Sequence, residues 1–191
     1  KIAELQQRAV PVINRSQLSR IEERVNRPGG GWLFLAMLQW RSDAQTLAVV
    51  LKTSPAFIRP STAEWDELYI NLRIFTASPP ISNVVRLLGI CADFEANAHS
   101  LVFERARGSV TDDFEAARES KTLPSWFAVD RPARWLLQIA TALSQLHSHG
   151  MLHRDLAADN VLVFEEKTSA DSADSKRGAA STCTLKLGDF G

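Results

Sequence analysis

Few cysteines, no surplus of charge and no long apolar run set the first bounds on this 191-residue chain. Cys91 and Cys183 lie far apart, with no CxxC or Cys/His ligand spacing. That excludes a disulfide framework and favours ordinary thiols in a reduced, cytoplasmic setting. Lys plus Arg and Asp plus Glu both total 22, so no general pull towards nucleic acid or anionic membrane is expected. The longest apolar run, "WLFLAML" at 32–38, is far too short to cross a bilayer. No signal peptide is visible, and the chain begins at Lys1, so a piece of a longer protein is expected. What is present is a hydrophobic content of 45% and a charged content of 23%, enough for a real core. The length suits one ordinary domain or two small lobes.

Residues 1–27 carry Ile2, Leu5, Leu18, Ile21 and Val25 at roughly helical spacing, interrupted by Pro11. The pattern predicts two short helices in an N-terminal extension. "RPGGG" at 27–31 is a loop, and the apolar run after it leads through the polar "RSDAQ" (41–45) to "TLAVVLK" (46–52). That order predicts a hairpin with Lys52 at its end. Residues 62–76 place Trp65, Leu68, Leu72 and Phe75 on one helical face, and "SPP" at 78–80 stops the helix. "NVVRLLGI" (83–90) and "SLVFER" (100–105) read as a second strand pair around the polar turn "DFEANAH".

From Asp130 to Ser148, Leu136, Ile139, Ala140, Leu143 and Leu146 predict a half-buried helix. Asp130 caps it, Pro132 suits its first turn and Gly150 closes its end. "NVLVF" (160–164) and "TLKLGDF" (184–190) read as short strands, and the Ser/Ala/Asp-rich stretch 165–183 between them as a solvated loop. A strand-rich first half followed by a helical second half predicts an α+β chain in two lobes.

"HRDLAADN" at 153–160 raises the functional question. A strand ending in Lys52, "LVFE" at 101–104, "LHSHGMLHRDLAADNVLV" at 146–163 and "LKLGDFG" at 185–191 follow in one order. Together they resemble a protein kinase from about residue 28 onwards. The catalytic loop is similar to that of tyrosine or tyrosine-kinase-like enzymes. The resemblance implies a two-lobed α+β fold, with an antiparallel N-lobe sheet plus one helix at 28–105 and an incomplete helical C-lobe at 106–191. It implies an ATP-dependent phosphotransferase acting, with Mg²⁺, on a Ser, Thr or Tyr hydroxyl of a protein substrate.

In that reading Lys52 holds the α and β phosphates and is oriented by Glu67, with Glu64 as the competing partner. Asp155 accepts or orients the hydroxyl proton, and Asn160 and Asp189 supply oxygen ligands to Mg²⁺. Gly29, Gly30 and Gly31 approach the phosphates, while Val50 and Leu162 flank the adenine. Phe103 is the gatekeeper, and backbone groups of Glu104 and Ala106 bind the adenine edge. His153 and Phe190 stack in the apolar spine.

Taken singly these residues have plainer readings. A lone lysine is ordinarily a surface residue, and Phe103 and Phe190 would be core aromatics in any fold. His147, His149 and His153 have a metal-like spacing, but no carboxylate or cysteine pattern completes it.

The chain also departs from the family. "GGG" has no later glycine before Lys52, and the bulky Trp32 and Phe34 follow it, which implies weaker ATP binding. Ala157 stands where Ser/Thr kinases carry Lys, and Asp159 where tyrosine kinases carry Arg, so a helper cation is missing. A scaffolding or nucleotide-binding pseudokinase is the alternative function. Glu67 has its own difficulty, since it puts Asn71 where the spine calls for an apolar side chain. The sequence stops at Gly191, immediately after "GDF", so the expected domain is cut there, inactive by itself, with its lower face exposed.

Overall fold

The computed structural model describes residues 10–26, 32–40, 45–54, 62–93, 98–122, 131–165 and 183–190. They form two compact units, one running to Pro80 and resuming at Arg86–Arg105, the other made of Ile81–Val85 and Ala106–Phe190.

Among the described residues the first unit is a six-stranded sheet with one α-helix. Its strands are β1 (Val12–Ile13), β2 (Leu18–Asn26), β3 (Trp32–Trp40), β4 (Gln45–Ser54), β5 (Leu87–Asp93) and β6 (Ala98–Glu104). They lie in the order β1-β5-β6-β4-β3-β2. The expected hairpins are present as β3–β4, where Trp40 faces Gln45, and β5–β6, where Asp93 faces Ala98. Every pairing is antiparallel except that of β1 with β5.

Strand alternation sorts the side chains into two cores. Ile13, Leu18, Leu38, Val49, Leu51 and Val102 are buried together on one face. Leu87, Ile90 and Leu101 are buried with Leu68 and Leu72 of helix α1 (Thr62–Phe75), and Phe75 packs against them. Full burial of one such leucine contributes about 1.5–3 kcal/mol, so these contacts hold the helix to the sheet.

The helical extension expected at 1–27 is not what residues 10–26 form. Leu18–Asn26 is a strand paired with β3, and Val12–Ile13 is another. The cause is a bulge. Ser19 faces Met37 and Glu22 faces Leu35, so three steps on β2 match two on β3, and Arg20 sits at φ +50°. The extra residue lets Leu18 and Ile21 reach the same core although they are three apart, which imitates a helical repeat.

The second unit carries the three-stranded sheet β7 (Gly108–Ser109), β8 (Val161–Glu165) and β9 (Cys183–Leu187) with helices α2 (Val110–Ser120) and α3 (Arg131–Ser148). Ser109 caps α2: its Oγ accepts from Asp112 N, and Asp112 Oδ2 accepts from Ser109 N. The end of α3 closes on Gly150, in the left-handed region at φ +67°. Gly150 N–H donates to His147 O and Met151 N–H to Leu146 O, the paired bonds of a left-handed helix stop.

The apolar stripe of α3 is rotated from the expected one. Trp135, Ala142 and Leu146 are buried, with Ile139 and Leu143 half-buried, whereas Leu136 is 67% exposed and Ala140 faces outward. Asn83–Val85, expected as strand, instead forms a brace on β9. Asn83, at φ +54°, donates from Nδ2 to Leu185 O and accepts at its carbonyl from Leu187 N, while Val85 N–H donates to Leu187 O. Asparagine tolerates that backbone better than most residues. Gly29, Gly30, Gly31, Asp130 and residues 166–182 lie outside the described residues.

Candidate active site

In the first unit the sheet itself aims Lys52. Val49 and Leu51 are buried on one face, so Val50 and Lys52 must project from the other. There Lys52 stands opposite Leu101 and Val50 opposite Phe103. Leu101 is buried in the same cluster as Leu68 and Leu72 of α1, and Phe103 packs against that cluster, so the Lys52 side chain rises on the helix side of the sheet. Its Nζ lies 2.6 Å from Glu67 Oε1, with the two side chains 22% and 21% exposed.

Asn71, the awkward residue in the choice of Glu67, is buried and donates from Nδ2 to Glu67 O at 2.9 Å. The helix thus satisfies part of the amide internally, which tolerates a polar group at an apolar position. The Glu64 side chain lies outside the described residues. Phe103 and Val50 are half-buried. Glu104 is fastened to Arg86, a residue that no sequence motif flagged. Glu104 N–H donates to Arg86 O at 3.1 Å, and Glu104 Oε1 accepts from Arg86 N at 2.8 Å. On the Arg86 side the clasp uses only main-chain groups, which leave no signature in residue type.

In the second unit Asp155, Asn160 and Asp189 are held by one loop and the end of β9. Asn160 is buried in a 3₁₀ turn at Ala158–Asn160, and its Nδ2 donates to Asp155 O at 2.8 Å and to Asp155 Oδ2 at 2.9 Å. Both bonds use the amide nitrogen, so Oδ1 is turned away from Asp155 as an oxygen donor. Asn160 O in turn accepts from Gly188 N at 2.9 Å, tying the "GDF" stretch to the same loop. Asp189 follows at φ +57° and Arg154 at φ +67°, both in the left-handed region that such residues seldom adopt. Backbone held there is a common property of functional loops.

Gly188 approaches closely: a Cβ on it would meet Val85 Cγ2 at 3.2 Å and Leu162 Cδ1 at 3.3 Å. His153 is 3% exposed and packs on Phe190 with the rings tilted at 46° and their centroids 4.8 Å apart. Among the described residues neither ring nitrogen meets a partner in full hydrogen-bond geometry. Burial holds its pKa below 6.5, outweighing the nearby Gly188 backbone and the carboxylates of Asp155 and Asp189. The imidazole is therefore neutral at pH 7 and acts as an apolar spacer. Among the described residues no three His, Cys, Asp or Glu side chains form a metal-binding group, so His147, His149 and His153 do not make one. Ala106 and Leu162 are half-buried; Ala157 and Asp159 are exposed.

Residues 22–191 match the family described as protein tyrosine and serine/threonine kinase. The chain belongs to that family. Among curated proteins, the kinase resembles the mitogen-activated protein kinase kinase kinase mlk-1 of Caenorhabditis elegans, 37% identical over 86 residues, 44% of this chain and 8% of that protein. It is 26% identical over 144 residues to the tyrosine kinase receptor Cad96Ca of Drosophila melanogaster, 68% of this chain and 18% of the receptor. It is 34% identical over 77 residues to the serine/threonine-protein kinase PLK4 of Xenopus laevis, 40% of this chain and 6% of that enzyme. The matches thus span less than a fifth of each relative. No described helix is long and apolar enough to cross a membrane.

Proposed function

We propose that this kinase domain transfers the γ-phosphoryl group of ATP to a Ser, Thr or Tyr hydroxyl of a protein, in a protein working in the cytoplasm. The observation that carries the reading is the clasp of Asn160 on Asp155 at 2.9 Å. It holds the carboxylate in one place, and placement is most of what phosphoryl transfer asks of a protein. The substrate oxygen forms a bond to phosphorus, the bond from phosphorus to the ADP oxygen breaks, and the hydroxyl proton passes towards Asp155.

Lys52, fixed by Glu67, supplies a cation for the α and β phosphates. The donor set at Asn160 and Asp189, an amide oxygen and a carboxylate, suits Mg²⁺, which takes few protein oxygens and keeps phosphate and water. When bound, that ion neutralises phosphate charge. Asn160 Oδ1 and the Asp189 carboxylate would hold it, and the left-handed turn at Asp189 orients the latter. Phe103, Glu104, Ala106, Val50 and Leu162 would receive the adenine, and Gly29–Gly31 the phosphates.

Neither Ala157 nor Asp159 can supply the cation that the family carries at these positions, which supports slow turnover. The test is γ-phosphate transfer by the full-length protein with Mg²⁺ and ATP, beside Asp155→Asn. Transfer that disappears in the variant supports the reading. Transfer equal in both, or nucleotide binding with no transfer by the wild type, replaces it with a binding module.

A further inference from the structure

The segment Val10–Gln17 precedes residues 22–191, where the kinase family match lies, yet it is built into the first unit. Val12 and Ile13 pair in parallel with Ile90 and Cys91 of β5, and Ile90 N–H donates to Pro11 O at 2.9 Å. A 3₁₀ turn at Arg15–Gln17 follows, closed by a reciprocal cap in which Asn14 N donates to Gln17 Oε1. Ile13 enters the core on one face of the sheet. Val10, 3% exposed, enters the other, among Leu68 and Leu72 of α1 and Leu87, Ile90 and Leu101 of the sheet.

The strand beneath is shaped to receive this segment. A Cβ on Gly89 would lie 2.5 Å from Pro11 O and 2.9 Å from Ile13 Cδ1. The first of these is backbone, which cannot yield cheaply. Only glycine at this position lets the strap lie so close to β5.

We infer that Val10–Gln17 is a positioning strap for Glu67. Leu68 and Leu72 stand one and five residues beyond Glu67, so the buried cluster that Val10 shares with them sets the rotation and depth of the helix that presents Glu67 to Lys52. Removal of Val10 leaves a gap under the helix next to those leucines. The helix then tips or rolls, and a carboxylate held at 2.6 Å has little room to follow. The strap thereby makes the ion pair depend on chain that lies before the family match. Its catalytic consequence rests on the proposed kinase activity, whereas its structural core does not.

The experiment uses the full-length protein with Val10→Ala, Gly89→Ala and the conservative Val10→Ile, each with Glu67 intact and with Glu67→Gln. Two readouts are taken: hydrogen exchange of the α1 amides, and kcat and KM for ATP. The strap predicts exchange across residues 68–72 about tenfold faster in Val10→Ala and Gly89→Ala, with Val10→Ile close to wild type. It also predicts that these two changes lower kcat/KM for ATP about tenfold when Glu67 is present, and add little further loss once Glu67 is Gln. Unchanged exchange in α1 in both variants overturns the inference. So does an equal loss of kcat/KM in the two backgrounds, because a merely structural role would act independently of Glu67. If the wild type transfers no phosphoryl group, the kinase reading fails by itself. The exchange readout then decides the strap, faster exchange supporting it and unchanged exchange refuting it.

Discussion

Glu67→Gln removes one charge from the best-defined ion pair in the first unit while keeping the size and shape of the side chain. At 2.6 Å and an effective dielectric near 20, the Lys52–Glu67 attraction is about 6 kcal/mol before the cost of desolvation. Much of that is offset, since both groups gave up water to pair and each retains about a fifth of its exposure. Exposed pairs contribute about 0–1 kcal/mol, and breaking a fully buried one costs about 3–5. A pair of intermediate burial falls between, near 2 kcal/mol, which corresponds to about a thirtyfold loss. That loss should appear in kcat/KM for ATP in the full-length protein, because in the proposed mechanism a misplaced Lys52 weakens phosphate binding in the ground and transition states alike. Lys52→Arg should fare little better, since a planar guanidinium cannot occupy the place of a compact ammonium. Glu64→Gln is the control and should stay within about twofold. The reasoning fails if Glu67→Gln is as active as wild type, or if Glu64→Gln shows the thirtyfold loss instead.

Three further outcomes are expected. Asp155→Asn should abolish transfer while leaving nucleotide affinity within about threefold of wild type, checked by titration with a fluorescent ATP analogue, because in the proposed mechanism Asp155 serves the hydroxyl and not the phosphates. Ser109→Ala removes the reciprocal cap of α2 and should lower stability by about 1 kcal/mol, read as a shift in urea midpoint at unchanged slope. His153 has a depressed pKa when folded, so below about pH 6.5 the unfolded chain binds a proton that the folded chain refuses. Stability should therefore fall with falling pH from about 6.5 down to the folded pKa, by up to about 1.4 kcal/mol per pH unit. His153→Phe should flatten that slope, and a slope that survives the substitution would contradict the assignment.

The legible parts of the molecule are those in which chemistry and local geometry coincide. Lys52 could be read as site-directed because strand alternation alone decides its face once Val49 and Leu51 are in the core. Gly150 could be read as a helix stop because a left-handed position favours the one residue without a Cβ. The segment Leu18–Asn26 could not be read correctly. A single inserted residue changed a period of two into a spacing of three, and nothing in the residue types marks where a bulge falls. The rotation of α3 was likewise hidden. Leucines occur on both sides, and only the packing partners choose Trp135 over Leu136.

These failures share a cause with the features that motif reading passed over. Arg86 clasps Glu104 through its main chain, Asn83 braces β9 through a left-handed turn, and Gly89 admits the Pro11 carbonyl. In each case the part that the residue plays lies in a contact made with a main-chain group between segments distant in sequence. A motif records side-chain chemistry at fixed spacing and is blind to that. The chemistry of this chain is therefore written in short stretches such as "HRDLAADN", whereas the placement of that chemistry depends on residues with no chemistry of their own. Val10 is the clearest example: an ordinary valine, far from any motif, buried in the same cluster as Leu68 and Leu72 of the helix that carries Glu67.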